Sequence, residues 1–232
     1  MALIKFGGGI VGMAGKIGGT VYARNRYGQY ARSWANPVNP RSDRQTAIRG
    51  IIGALGDLWG QTLTDDQRAG WENYASNVEM KNRLGETIQL SGFNHFCRSN
   101  AVRIHAGLET VLDAPAIQAL AEHDTAFAIE ATAGSLNVEV AFDEGKDWAN
   151  EAGAAMLVHF SALTNGNIQF YGGSYRYAGK VLGDASTPPT SPATITYPGP
   201  TPQAGQKIFA KARIVRADGR ASEFFRTSGL VS

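Results

Sequence analysis

The residues that could do chemistry are concentrated near the start of the chain, where glycines precede a run of arginines and aromatic residues. Residues 7–12 spell G-x-G-x-x-G. In dinucleotide-binding proteins this motif opens a helix, and an acid about 20 residues further on binds the ribose. Here Gly18 and Gly19 would break such a helix, and residues 29–32 contain no acid. We therefore predict that this glycine motif does not bind a nucleotide.

The remaining titratable and nucleophilic residues form no recognisable active site. The four histidines have neither a second ligand at metal-binding spacing nor a partner cysteine pair, and they are His95, His105, His123 and His159. No serine stands in a G-x-S-x-G elbow, and the single Cys97 has no catalytic neighbour in view. The sequence therefore predicts no enzyme, no metal and no cofactor.

The run from residue 22 to 34 is the strongest chemical pattern in the chain. Its candidate contact residues are Tyr22, Arg24, Arg26, Tyr27, Tyr30, Arg32 and Trp34. Arginines pair with phosphates and rings stack on bases, so the run suits single-stranded nucleic acid. The alternation of Val21, Ala23 and Ala31 with polar residues equally suits a strand added to another protein's sheet edge. We favour protein docking, because the rest of the chain is acidic and shows no further basic patch in its sequence.

Charge and composition support a basic segment on a globular body. The chain has 232 residues, 43% of them hydrophobic, which is enough for a large core. Residues 1–50 contain eight Lys or Arg and one acid, whereas the remainder contains 14 basic and 19 acidic residues. No apolar run approaches the ~20 residues of a membrane span. Acidic protein surfaces, including other copies of the chain, and nucleic acid are the partner classes that this asymmetry favours.

Residues 1–41 are predicted to form an extended arm. Seven glycines between residues 7 and 19 disfavour a helix, and the segment lacks the apolar residues for a core of its own. Ordering it costs roughly 1–2 kcal/mol per residue, so a partner should supply the contacts. Fully extended, it could reach on the order of 100 Å at ~3.3 Å per residue.

Residues 42–115 are predicted to form three helices. Ser42 with Gln45 and Thr64 with Gln67 have capping-box spacing, and Ser91 can cap a third helix from about Gly92 to His105. We expect the first two helices to form an antiparallel pair with a shared aromatic core of Trp59, Trp71 and Tyr74. We also expect a second element to approach closely along a glycine face of the first helix, formed by Gly50, Gly53, Gly56 and Gly60.

From residue 116 onwards the hydrophobic period changes to two, which predicts about seven antiparallel strands in a β-sandwich. The last two should form a hairpin around a type I′ turn at Asp218-Gly219. The expected core residues are Phe127, Val138, Val140, Val158, Ile208 and Ile214. The sandwich also offers rings on which a glycan could stack, at Trp148, Tyr171, Tyr175 and Tyr177.

Five motifs in the first 115 residues resemble a group of uncharacterised tailed-phage and prophage virion proteins. They are GKIGG at 15–19, RNRYG at 24–28, NPVNP at 36–40, LTDDQRAGW at 63–71 and GFNHF at 92–96. The last hairpin, at residues 215–222, resembles the closing hairpin of fibronectin type III and immunoglobulin-like modules. The first resemblance implies a virion component, and the second implies an exposed sandwich on the particle.

Together these observations predict an α+β protein with an extended arm at 1–41, a helical domain at 42–115 and an immunoglobulin-like sandwich at 116–232. The resemblance implies a non-enzymatic structural protein, made in the host cytoplasm and built into the virion as a capsid decoration or cement protein. Its partners would be major capsid or tail subunits and further copies of itself, with no membrane. A tail or neck protein, a nucleic-acid-binding protein and a glycan or host-surface binding module are the alternatives.

Overall fold

The computed structural model describes residues 2–25, 28–82 and 84–232. It contains three α-helices and several antiparallel sheets, with a β-rich C-terminal part. The predicted α+β class is therefore confirmed. None of the described helices is long and apolar enough to cross a bilayer.

The helices follow the predicted capping signals closely. Their bounds are α1 at Asp43–Asp57, α2 at Asp65–Asn77 and α3 at Gly92–His105, with a five-residue π-helical turn at Leu58–Thr62 after α1. The side chains of Ser42, Thr64 and Ser91 each accept a hydrogen bond from a backbone N–H of the helix that they precede. The reciprocal capping box is present at Thr64 and Gln67.

The strands fall into an N-terminal group, a short hairpin and a C-terminal group. The first six are β1 (Ala2–Leu3), β2 (Gly15–Ile17), β3 (Thr20–Asn25), β4 (Gly28–Ser33), β5 (Met80–Lys81) and β6 (Thr87–Ile88). The others are β7 (Ala128–Ala131), β8 (Asn137–Ala141), β9 (Ala155–Phe160), β10 (Thr164–Asn165), β11 (Arg176–Leu182), β12 (Ala193–Thr196), β13 (Gln206–Val215) and β14 (Phe225–Leu230).

Helices α1 and α2 both pack against α3. This arrangement differs from the predicted antiparallel pair of α1 and α2. Helix α3 contacts both other helices, and the buried cluster between them includes Leu55, Trp71, Tyr74 and Phe96. Trp59 is half-buried at the edge of this cluster. The expected close approach along the glycines of α1 is wrong, because a Cβ at Gly50, Gly53, Gly56 or Gly60 would meet nothing within 4 Å. Helix α1 instead packs through the side chains of Leu55 and Ile51, which belong to the helical cluster.

The C-terminal part is a two-layer arrangement of antiparallel sheets. The small sheet has the order β12-β8-β7. In the large sheet, β13 lies between β14 and β9, β11 lies on the other side of β9, and β10 pairs with the start of β13. All six predicted core residues are buried in the single cluster between the two sheets. Alternate residues of β13, Ile208, Ala210, Ala212 and Ile214, face that core.

The final hairpin has a different turn from the one predicted. Gly219 has a φ of 92°, whereas Asp218 is not among the residues with positive φ, so the two do not form a type I′ turn. The Arg216 N–H donates to the Arg220 carbonyl at 2.8 Å, and Gly219 N–H donates to the Arg216 carbonyl at 3.1 Å. This is a three-residue loop with glycine in the left-handed position, the pattern of a G1 bulge.

The helices and the sandwich share a buried boundary at α3. A third hydrophobic cluster joins Ala106, after α3, to Leu157 and Val215 of the large sheet. Arg103, only 3% exposed, donates to the carbonyls of Glu109 and Arg216, both at 2.7 Å. Because its guanidinium bonds to carbonyls of both segments, this arginine fastens the predicted 42–115 and 116–232 regions together.

Candidate interaction surfaces

The predicted arm is extended in backbone but folded back on itself as a four-stranded sheet of order β1-β4-β3-β2. The turn between β2 and β3 is Gly18-Gly19, and both residues have the positive φ that a two-residue type I′ hairpin requires. The sequence contained this signal, because a Gly-Gly pair between two strand-like runs predicts a hairpin. The pair therefore forms a hairpin turn, beyond the helix-breaking role expected from its glycines.

The G-x-G-x-x-G motif serves this small sheet. The side chain of Gln29, on β4, accepts a hydrogen bond from Met13 N–H and donates one to the Val11 carbonyl, both at 3.1 Å. A Cβ on Gly12 would lie 2.6 Å from Gln29 Nε2. The third glycine of the motif therefore lets the loop close against a side chain of its own sheet.

Strand register divides the predicted contact residues between two faces. Tyr22 and Arg24 share one face, since their partners across the β3–β4 ladder are Ala31 and Gln29. Tyr30 and Arg32 lie on the opposite face, together with Lys16, whose partner is Val21.

The second face is extended by a ring beyond the end of β4. Trp34 is 52% exposed, and its ring lies 3.8 Å from Lys16 Nζ. Arg26 and Tyr27 lie outside the described residues. The predicted single contact run is therefore two surfaces, with Tyr22 and Arg24 on one and Tyr30, Arg32 and Trp34 on the other.

The N-terminal sheet has no core in the part of the chain that the structure describes. None of its described residues is buried, and the hydrophobic clusters take their members from Ile51 onwards. Its contacts with the body include the Lys5–Glu86 ion pair at 2.8 Å and a hydrogen bond from Arg49 to Asn39 at 3.0 Å. The middle of β4 pairs with β1 and β3 on its two sides, so addition of β4 to a foreign sheet is not available there. Its faces remain open for docking.

A second basic surface lies on the outer side of the large sheet, and the sequence analysis missed it. The expectation of no further basic patch is wrong. Strand β13 alternates core residues with Lys207, Phe209, Lys211 and Arg213, and this alternation was the available signal. Register adds what sequence could not supply, because Arg226 of β14 lies directly opposite Lys211. We call Lys207, Lys211, Arg213 and Arg226, with the rings of Phe209 and Phe224, the basic sheet face.

The four predicted glycan-stacking rings have different fates. Trp148 is only 2% exposed and belongs to the sandwich core, so this part of the prediction is wrong. Tyr171 and Tyr175 line a cavity of about 360 Å³ at the edge of the basic sheet face. Tyr177 lies on the sheet between His105 and His159, with ring centroids 5.0 and 5.5 Å away.

The buried histidines and the cysteine have environments that suit structural roles. Burial, with a smaller effect of Arg98, lowers the pKa of His95 to about 4, and no described residue makes a hydrogen bond with its Nε2. Burial also raises the pKa of the Cys97 thiol, which disfavours the reactive thiolate. Among residues 2–25, 28–82 and 84–232, no group of three His, Cys, Asp or Glu side chains could hold a metal ion.

Comparisons with known proteins found little similarity that bears on these surfaces. No protein-family model matches the chain, and no curated protein matches it. Among solved structures, it is similar to the crystal structure of the adhesin domain of Epf from Streptococcus pyogenes, with 14% identity and a TM-score of 0.31. The match covers 49% of this chain and 33% of that one, so it spans about a third of the adhesin structure. A TM-score this low carries no argument about fold or function.

Proposed function

We propose that this protein is a non-enzymatic structural component of a tailed-phage virion, a capsid decoration protein that attaches to capsid subunits through its N-terminal sheet. The observation that carries the proposal is that this sheet exposes basic and aromatic residues and has no apolar core. It presents Arg24 on one face and Lys16, Arg32 and Trp34 on the other, with no described residue buried. An isolated sheet without an apolar layer is marginal in water, so a partner surface would supply its missing contacts.

The proposal that the protein belongs to a phage particle comes from the sequence motifs. The proposal of how it attaches comes from the geometry of the N-terminal sheet. Three of the five phage-like motifs, GKIGG, RNRYG and NPVNP, lie within or next to the N-terminal sheet. Because the N-terminal segment folds back, it reaches less far than an extended arm would. The longest strands of the N-terminal sheet have six residues and span only about 20 Å at ~3.3 Å per residue. We therefore expect the sheet to contact an adjoining subunit, and not to span the ~100 Å that an extended arm could cover.

Deletion of residues 2–41 tests the proposal directly. We expect the truncated chain to be lost from purified particles, while its circular dichroism spectrum and cooperative unfolding persist, because the described cluster members begin at Ile51. Imaging of particles that carry the full chain would then locate it on head, neck or tail. Undiminished incorporation of the truncated chain would refute attachment through this sheet, and density on the tail would refute the decoration role.

Point substitutions show which face docks. Arg32→Glu with Trp34→Ala alters one face, and Tyr22→Ala with Arg24→Glu alters the other, with the same change in charge. Loss of incorporation with one pair and not the other would assign the docking face. Lys207→Glu, on the sandwich, is the matched control for a reversed charge outside the N-terminal sheet.

A further inference from the structure

The basic sheet face contains an arrangement that stability alone does not explain. Across the large sheet, Arg226, Lys211, His159 and Tyr177 occupy one transverse row, because each is the register partner of the next. Two like charges directly opposite on neighbouring strands destabilise a sheet. Burial lowers the pKa of Lys211, and the cations of Arg226 and Arg213 lower it further. Cations held this close together favour an anionic ligand that would relieve their repulsion.

The charges on this face have few anionic partners in the described part of the chain. None of the ion pairs found there involves Lys207, Lys211, Arg213 or Arg226. Glu223 is the carboxylate that acts on Arg213, which is 8% exposed and whose Nε has no hydrogen-bond partner among the described residues. Lys211 Nζ and the Arg213 guanidinium lie 4.2 and 4.3 Å from the centroid of the Phe224 ring, which fixes both cations in place.

The cavity beside this row supplies a different kind of contact. It is bounded by Gln169, Phe170, Arg226 and Ser228, among others, and its volume of about 360 Å³ is at the small end of the range for ligand sites. Phe170 is 73% exposed, which leaves its ring open for stacking. The amide and the hydroxyl can exchange hydrogen bonds with hydroxyl groups, and Arg226 can bind a carboxylate in bidentate fashion.

The rings distinguish between the anionic polymers. Sequence-tolerant binding of single-stranded nucleic acid uses successive aromatic faces, each stacked on a base. Here Tyr171 already stacks on Phe209, with centroids 5.9 Å apart and planes 19° apart, and Phe224 is occupied by two cations. One open ring with an amide, a hydroxyl and a row of cations suits a sugar ring that carries a carboxylate.

We propose that the basic sheet face and its adjoining cavity bind an acidic polysaccharide, with Lys211 and Arg226 holding carboxylates and Phe170 stacking on a sugar ring. This site is separate from the N-terminal sheet and does not depend on attachment to a particle.

Binding of the full chain to polygalacturonate tests the proposal, with neutral dextran and oligo(dT) as comparison polymers. We expect polygalacturonate to bind, with an affinity that falls as salt rises, and dextran not to bind. Lys211→Gln with Arg226→Gln should weaken binding by about tenfold or more, because each removes a charge-assisted hydrogen bond. Lys16→Gln with Arg32→Gln removes the same charge from the N-terminal sheet and should leave binding intact.

Two further measurements separate this site from general charge and from misfolding. Phe170→Ala keeps every charge, and its loss of binding would identify ring stacking. The Lys211→Gln, Arg226→Gln variant should melt at or above the parent temperature, because it relieves a cross-strand repulsion. The proposal would be overturned by no binding to polygalacturonate at low salt, by equal loss in the N-terminal control, or by tighter binding of oligo(dT). Self-association that the same variant abolishes would also overturn it, by assigning the face to a second copy.

Discussion

The N-terminal sheet and the C-terminal sandwich are both antiparallel and both alternate apolar and polar residues, but only the sandwich buries its apolar residues. In β13 every second residue enters a core shared with a second sheet, and Ile208, Ala210 and Ala212 are fully buried. In β3, Val21 and Ala23 alternate in the same manner but remain half-buried, because no second layer covers them in the described structure. Alternation therefore indicates a strand, whereas burial depends on whether the chain supplies a facing layer.

This comparison predicts that the body carries the stability of the chain and that the N-terminal sheet contributes little to it. The first prediction concerns a fully buried ring of the helices. Trp71 is fully buried, contacts Tyr74 and Phe96 edge-on, and donates from Nε1 to the Leu112 carbonyl at 2.8 Å. Trp71→Ala should reduce the free energy of unfolding by about 3–5 kcal/mol in urea titrations. A loss below about 1 kcal/mol would mean that the helical core contributes little to the body.

Acid sensitivity is the second prediction, and it too belongs to the body. The pKa of His95 is about 4 in the folded chain against an ordinary 6.5, so the unfolded state binds the proton first as pH falls. The free energy of unfolding is highest above pH 6.5, where His95 is neutral in both states. It falls by about 3 kcal/mol between pH 6.5 and 4, where the unfolded state is protonated and the folded state is not. His95→Phe should make this part of the pH profile less steep, and His159, whose pKa burial also lowers to about 4, should account for the slope that remains. A profile as steep as the parent's would contradict the assignment.

A pair of glycine substitutions provides the third prediction and compares two helices inside the body. A Cβ at Gly92, the first residue of α3, would lie 2.7 Å from the backbone nitrogen of Glu72, so Gly92→Ala should destabilise by about 1–3 kcal/mol. A Cβ at Gly53 in α1 would meet nothing within 4 Å, and Gly53→Ala should stabilise by about 1 kcal/mol. Urea unfolding of both variants measures the contrast. Effects of the same sign would contradict the prediction, and a Gly53→Ala variant with unchanged stability would show that α1 does not unfold with α3.

The sequence predicted what depends on neighbouring residues and missed what depends on register. Caps at Thr64 and Ser91 were predictable, because the capping residue and its partner are three positions apart. The position of the last turn was predictable from Asp218-Gly219, but its type was not, because only Gly219 has a positive φ. The basic sheet face depends on Lys211 and Arg226 meeting across two strands, which only the fold determines.

The two faces of the N-terminal sheet could not be read from the sequence for the same reason. Gly18-Gly19 indicates the hairpin of β2 and β3, but which residues share a face is set by the register of β3 with β2 and β4. The close approach expected at the glycines of α1 occurs instead at Gly92, because glycine permits contact without specifying a partner.

The smallest expected effect on stability is the sharpest test of the comparison. Trp34 is half exposed and contacts Lys16, an exposed residue, so Trp34→Ala should change the free energy of unfolding of the body by no more than about 0.5 kcal/mol. The same substitution, combined with Arg32→Glu, is expected to impair particle attachment if the second face docks. A tryptophan that is neutral for folding and essential for attachment would have a role in binding alone. A clear drop in melting temperature would instead place Trp34 in the fold of the body and remove the distinction between the two regions.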